Sequence, residues 1–394
     1  MLTKKPYALS VWTLFLCLGF LFLGIVENFR TTFMPLMSSE LALSETQLSG
    51  LIVMSAIASI ILQVSAGYWS EKISTPRLYI ITFAILAAIL FISTLITNYV
   101  RLLTFYFIIQ LGVTLYLLVS NSLIPTLGAR STQLLTFSHG CYGLGAACSP
   151  LIAEKLLDLT GNWQMSYQVI AYPGIFMCLF ILYLSRPRLS LSMPTHSQTH
   201  IKPSLPQLLS KPLVWWFILL FGTGITTEVA TANWFVYYLC STENLSQGDA
   251  AGYLSIFYIL FTCGRFIGSF TLVAGSEASV LRKTLLLTTA LIICTVGFPQ
   301  WSSIFLTLSG ITVALIFPMM LMILNQSFSA HHTYILGVVV SGALMIFIGV
   351  NALIGVWSEF LSVRTSYCLM AGCGCIAFGS SMVISRTYSL KVNN

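Results

Sequence analysis

The chain has 394 residues, 57% of them hydrophobic and only 7% charged, with a net charge of +7 and a mean hydropathy of +0.90. A soluble domain carries about 25% charged residues, so that class is excluded and most of these side chains must face lipid or one another. The positive charge does not point to nucleic acid either, because it sits in short polar gaps between apolar runs.

About 20 apolar residues cross the ~30 Å hydrocarbon core of a bilayer. Twelve apolar segments are expected to do so, at 9–37, 46–68, 78–97, 102–123, 133–154, 165–184, 212–239, 248–272, 284–296, 301–324, 334–357 and 366–384, the ninth being the shortest. The first carries Glu27, Asn28 and Arg30 at its middle. An ionisable group at that depth costs roughly 2.5–3.5 kcal/mol, so a simple anchor would not hold one. Glu27 and Arg30 are three apart, share a helix face and can pair. The pair either fixes helix packing or binds a solute.

Further along, Ser44 is placed to cap the second helix, which contains Gln63, and the segment Gly67-Tyr68-Trp69-Ser70-Glu71-Lys72-Ile73-Ser74-Thr75-Pro76-Arg77 joins it to the third. This is either an ordinary polar loop or a latch, in which Gly67 lets helices approach and Glu71, Lys72 and Arg77 form a charge relay at a helix end. Gln110 and Asn121 are the polar candidates of the fourth helix, and the fifth begins His139-Gly140-Cys141-Tyr142-Gly143-Leu144-Gly145. An imidazole is the side chain whose charge changes near neutral pH, so His139 either handles a proton or hydrogen-bonds a neighbour.

The longest polar gap, 185–211, is rich in Pro, Ser, Thr and His and reads as a linker between two bundles, 1–184 and 212–394. The seventh segment repeats the anomaly of the first, with Glu228, Asn233 and Trp234. Glu228 has no cation near it in sequence, which makes it the stronger candidate for taking up a proton, with Glu27 the other acid at membrane depth. Ser246 stands after Glu228 at nearly the spacing of Ser44 after Glu27 and is placed to cap the eighth helix. That repetition suggests two related six-helix halves, an organisation common among secondary transporters. Asn325 and Asn351 add amides to the tenth and eleventh segments. Amides can bond hydroxyl groups of a solute, and Tyr142 and Trp234 offer faces for a ring, although such amides also glue helices together at ~0.6–2 kcal/mol each.

With the N-terminus inside, the cytoplasmic gaps hold Lys4, Lys5, Lys72, Arg77, Arg130, Arg186, Arg188, Lys202, Lys211, Arg282, Lys283, Arg386 and Lys391, against Arg101, Lys155 and Arg364 outside. That bias sets both termini in the cytoplasm. The ten Cys lie in apolar runs without zinc spacing, so no metal, cofactor or disulfide is expected. A phosphate-binding Gly-x-x-x-x-Gly-Lys loop is absent, which excludes ATP as the driver. An embedded enzyme would need a nucleophile–base pair or a metal cluster, and the one vicinal His pair, His331-His332, falls in a loop. The chain is not expected to be an enzyme.

The 67–77 segment resembles the signature loop of the major facilitator superfamily, Gly-x-x-x-Asp-Arg-x-Gly-x-Arg-Arg, with Glu, Lys and Ser substituted. Gly264-Arg265-Phe266-Ile267-Gly268 stands at the matching place in the second half, with Arg265 as a gating candidate. Gly112, Asn121 and Pro125 of the fourth helix, the fifth-helix glycines with Ser149-Pro150, Trp234 beyond Glu228, and Phe317-Pro318-Met319-Met320 resemble the fucose–galactose–hexose:proton symporter branch and its glucose-transporter-like relatives. The acid that this branch carries in its fourth helix has no counterpart here. The resemblance implies an all-α membrane protein with twelve transmembrane helices in two pseudo-symmetric six-helix bundles (the major facilitator fold), the substrate path between them. It implies a monomer in a bacterial-type inner membrane that moves a small polar, sugar-like solute by alternating access, with the proton as coupling ion and lipid as surroundings. The alternative is an exporter or importer of a drug, siderophore or other metabolite on the same fold.

Overall fold

A lipid-embedded backbone has no water to bond, so its polar groups must be satisfied within each segment, which leaves helices as the solution for a chain without closed barrels. The computed structural model describes residues 6–127, 131–186, 205–271, 276–328 and 332–392, and those residues contain helices and turns but no strand. The helices are α1 (Pro6–Leu41), α2 (Glu45–Lys72), α3 (Thr75–Phe91), α4 (Tyr99–Leu123), α5 (Ser131–Thr160), α6 (Trp163–Leu184), α7 (Leu205–Leu209), α8 (Pro212–Thr242), α9 (Gln247–Thr271), α10 (Glu277–Gly297), α11 (Ser302–Val313), α12 (Ile316–Ser327), α13 (His332–Phe360) and α14 (Val363–Val392).

Among the described residues ten helical stretches are long and apolar enough to cross a membrane, α11 and α12 counting as one. Two more complete the twelve. Helix α3 is apolar but shorter, and α5 has the length, at 30 residues, but interrupts its apolar run with glycines and with Glu154, Lys155 and Asp158. The ninth segment is longer than its apolar core suggested: α10 starts at Glu277, an acid in the first turn, where the positive end of the helix dipole favours it. The tenth is broken. Pro318 cannot bond the carbonyl of Ala314 four residues back and its ring crowds that group, and the helix is interrupted at 314–315. Of the expected linker, 187–204 lies outside the described residues, while Leu205–Leu209 forms a short helix.

One sharp corner occurs twice. Ala42 and Asn244 both adopt left-handed backbone, with φ of 48° and 55°, and each is followed by a Leu and a capping Ser. Ser44 Oγ accepts from the backbone N–H of Gln47 at 3.4 Å, while the Gln47 side chain accepts from the N–H of Ser44 at 3.0 Å. This is the reciprocal capping box. At the second corner Ser246 Oγ accepts from the N–H of Asp249 at 3.1 Å and donates to its carboxylate at 2.7 Å.

The chain divides into two units, Met1–Leu43 with Met54–Gln198, and Ser44–Val53 with Thr199–Asn394. In the first, α1 packs chiefly on α5, and α3 lies between α4 and α6. Gly24 and Gly145 make the first contact possible: a Cβ on Gly24 would meet the carbonyl of Tyr142, and one on Gly145 the carbonyl of Leu21. Small residues at such crossings let backbones touch. In the second unit α8 packs on α13 and α14, α9 on α11, and α10 on α14. The opening turns of α2 belong to this unit, with Ser49 Oγ donating to the carbonyl of Asn351 and Tyr237 donating to Glu45 at 3.1 Å.

Candidate functional site

In the first unit the polar group at mid-depth is built on α1. Glu27 stands about 25 Å along the apolar span that starts at Ser10, at 1.5 Å per residue. Its carboxylate accepts from the Tyr142 hydroxyl of α5 at 2.6 Å, a charge-assisted bond of the short, strong kind. Arg30, 6% exposed, reaches the other way: Nη1 donates to Ser55 of α2 at 2.8 Å, and the guanidinium lies 5.8 Å from the centre of the Tyr106 ring of α4. The expected Glu27–Arg30 pair is therefore replaced by separate partners on different helices. Tyr106 in turn bonds Tyr167 of α6 at 2.9 Å, within a cluster of edge-to-face rings containing Phe29, Phe33 and Phe105. Rings so packed hold Tyr106 still beneath the cation.

Asn28 donates to the carbonyl of Gly24 at 2.8 Å, a bond within α1. Gln63 is half-buried on α2. Asn121 is exposed at the end of α4 and contacts His139 across 3.3 Å, while the imidazole packs on Phe20 at 4.9 Å. The structure thus gives His139 the hydrogen-bonding arrangement and places it apart from Glu27. Sequence inspection missed Ser55, Tyr106, Tyr167 and a second polar contact, Ser59 to Thr114 at 2.9 Å. Each looks like an ordinary residue of an apolar helix until its partner is known.

In the second unit Glu228 of α8 is not isolated. Arg265 of α9 brings Nη2 to within 3.6 Å of Glu228 Oε1, and its guanidinium stacks 4.2 Å from the centre of the Phe261 ring. The acid is 12% exposed and the Arg 34%. Glu228 Oε2 and Arg265 Nε have no hydrogen-bond partner among the described residues. Trp234 is fully buried and meets Tyr237 edge-on at 5.8 Å. Asn233 and Asn351 are buried too, and the Asn351 amide donates to the carbonyl of Phe347 at 2.9 Å. Asn325 is exposed near the end of α12 and does not join them. Helix α8 also carries Thr223, Thr226, Thr227 and Thr231, each bonding the carbonyl four residues back. This ladder leaves small polar oxygens at membrane depth without free donors.

Of the latch residues, Arg77 is exposed in the first turn of α3, while the side chains of Gly67, Glu71 and Lys72 lie outside the described residues. His331 does too, as does the side chain of His332. No group of three or more metal-ligating side chains occurs among the described residues.

Twelve membrane helices, two capped corners repeated along the chain, and an acid held at mid-depth in each repeat define a polytopic carrier. Residues 16–333 match the Major Facilitator Superfamily profile, and the chain belongs to that superfamily. It is a membrane transporter and not an enzyme. A probable nitrate transporter, NarT, of Staphylococcus haemolyticus (strain JCSC1435) is 25% identical over 270 residues, which make up 68% of this chain and 66%, just under two thirds, of that protein. Among solved structures the nucleoside transporter NupG superposes with a TM-score of 0.76 at 16% identity, over 94% of this chain and 99% of that one. The E. coli fucose:proton symporter FucP gives 0.65 at 17% identity, over 96% and 99%. Identities at this level show a shared fold.

Proposed function

We propose that the chain takes a small, hydroxyl-rich solute across a bacterial-type inner membrane by alternating access, as a monomer with both termini in the cytoplasm, and that protons drive it. The observation that carries this reading is the Glu228–Arg265 pair. A carboxylate at mid-depth costs less when a cation stands beside it, and protonating that carboxylate removes the attraction holding Arg265. One proton thus changes the restraint between α8 and α9. The uncompensated Oε2 leaves room for the proton or for a solute hydroxyl. Glu27 with Tyr142, and the buried Asn233 and Asn351, supply further acceptors and donors suited to hydroxyl groups. Neighbours of the fold include proteins named as fucose:proton and D-xylose–proton symporters, in keeping with this reading.

The test is Glu228→Gln in proteoliposomes. Accumulation driven by an imposed proton gradient is expected to disappear, while exchange of labelled for unlabelled solute continues. Normal accumulation by this variant contradicts the role.

A second reading, an anionic solute, is favoured by one observation: Arg30 is buried at mid-depth as a fixed positive charge, and the curated relative is a probable nitrate transporter. Loss of nitrate uptake in Arg30→Gln, with sugar uptake absent in the parent protein, would select it.

A further inference from the structure

A second site lies away from the mid-depth acids, where α10 begins and the apolar part of α14 ends. A cleft of about 250 Å³ is lined by Arg282, Met382, Ser385 and Arg386. Two of these four residues are cationic and none is acidic. Arg282, half-buried in the second turn of α10, donates through Nη1 to Ser385 Oγ at 3.0 Å, and Ser385 donates onward to the carbonyl of Ser381 at 2.8 Å. This chain orients the Arg282 fork at the cleft. Arg386 is exposed on the next residue of α14.

The depth of the cleft identifies its surroundings. The apolar span of α14 ends at Arg386, and that of α10 starts at Glu277, five residues before Arg282. The arginines therefore sit where hydrocarbon gives way to headgroups. Just inside them Met382 of α14 and Leu286 and Leu287 of α10 are exposed, an apolar shoulder of the kind an acyl chain covers. The volume is below the roughly 300–1,000 Å³ of sites for drug-sized ligands, but a single charged headgroup needs less. Guanidinium forks match phosphate oxygens in pairs, and basic pockets between helices on the cytoplasmic side hold lipid phosphates.

We propose that this cleft binds a phosphate group, and that in the membrane the phosphate belongs to an anionic phospholipid headgroup held against α10 and α14. The site is independent of the transported solute and of the role given to Glu228.

The experiment measures binding of fluorescent phosphatidylglycerol to the purified full chain in nonionic detergent, with phosphatidylcholine and inorganic phosphate as competitors. Phosphatidylglycerol is expected to bind and phosphatidylcholine not to compete. Arg386→Gln should weaken binding about fivefold, and Arg282→Gln with Arg386→Gln further, since each surface cation contributes about that factor. Arg386 is exposed, so its single variant tests the site without disturbing the packing. Displacement of the lipid by millimolar inorganic phosphate would keep the phosphate site and reassign its source to soluble phosphates. Affinity unchanged in the double variant, or equal binding of phosphatidylcholine, overturns the proposal.

Discussion

Glu27 and Arg30 stand one turn apart on α1, yet each is held by a different helix, Glu27 by Tyr142 and Arg30 by Ser55. Groups that share a hydrogen bond show coupling of about 0.5–3 kcal/mol in double-mutant cycles. Thermal unfolding of Glu27→Gln, Tyr142→Phe and their double variant should therefore give coupling in that range. The cycle of Glu27→Gln with Arg30→Gln should give less, and recovery of stability in that second double variant would restore the direct pair. Which residues matter at this scale was legible in the sequence, because a Glu or Arg inside an apolar run is costly wherever it points. Their partners were not. Tyr142 lies 115 positions from Glu27, and Arg265 lies on the next helix after Glu228, so helical spacing within one segment could not reveal either contact. Glu228, read from sequence as lacking a cation, has one at 3.6 Å.

At the scale of elements, the corner before α2 and the corner before α9 are the same device with different residues in the left-handed position. Asn tolerates that backbone, whereas Ala strains its Cβ, at roughly 1–2 kcal/mol. Ala42→Gly should therefore stabilise the protein by about 0.5–1 kcal/mol in equilibrium unfolding, and Asn244→Gly by much less. Equal effects at both corners would mean that the strain at Ala42 is relieved elsewhere. The capping serines were legible because Ser followed three residues later by Gln or Asp is a local signal. The break of the tenth segment was present in the sequence as Pro318 but hidden in a continuous apolar run. We further propose that the 67–77 corner latches one state of the transport cycle. Glu71→Ala or Arg77→Ala should change the accessibility of introduced cysteines from the two sides of the membrane, and unchanged accessibility would make the corner a plain loop.

For the whole molecule, composition and charge placement carried the class: helices in lipid, twelve of them, arranged as two related sets. Substrate identity was not legible at this scale, because the fold serves proteins named for nitrate, nucleosides and fucose alike, and function on a shared fold rests on the site. Here that site comprises two acids at mid-depth, each with a partner from another helix, and the account assigns them to proton-linked movement of a solute.

The most direct measurement is solute-dependent proton flux. Purified chain is reconstituted in vesicles containing a pH-sensitive dye, and sugars, nucleosides and nitrate are added in turn outside. The account predicts that one hydroxyl-rich solute acidifies the interior with wild-type protein and leaves it unchanged with Glu228→Gln. Uptake of labelled solute without any movement of protons in the wild-type protein would contradict it.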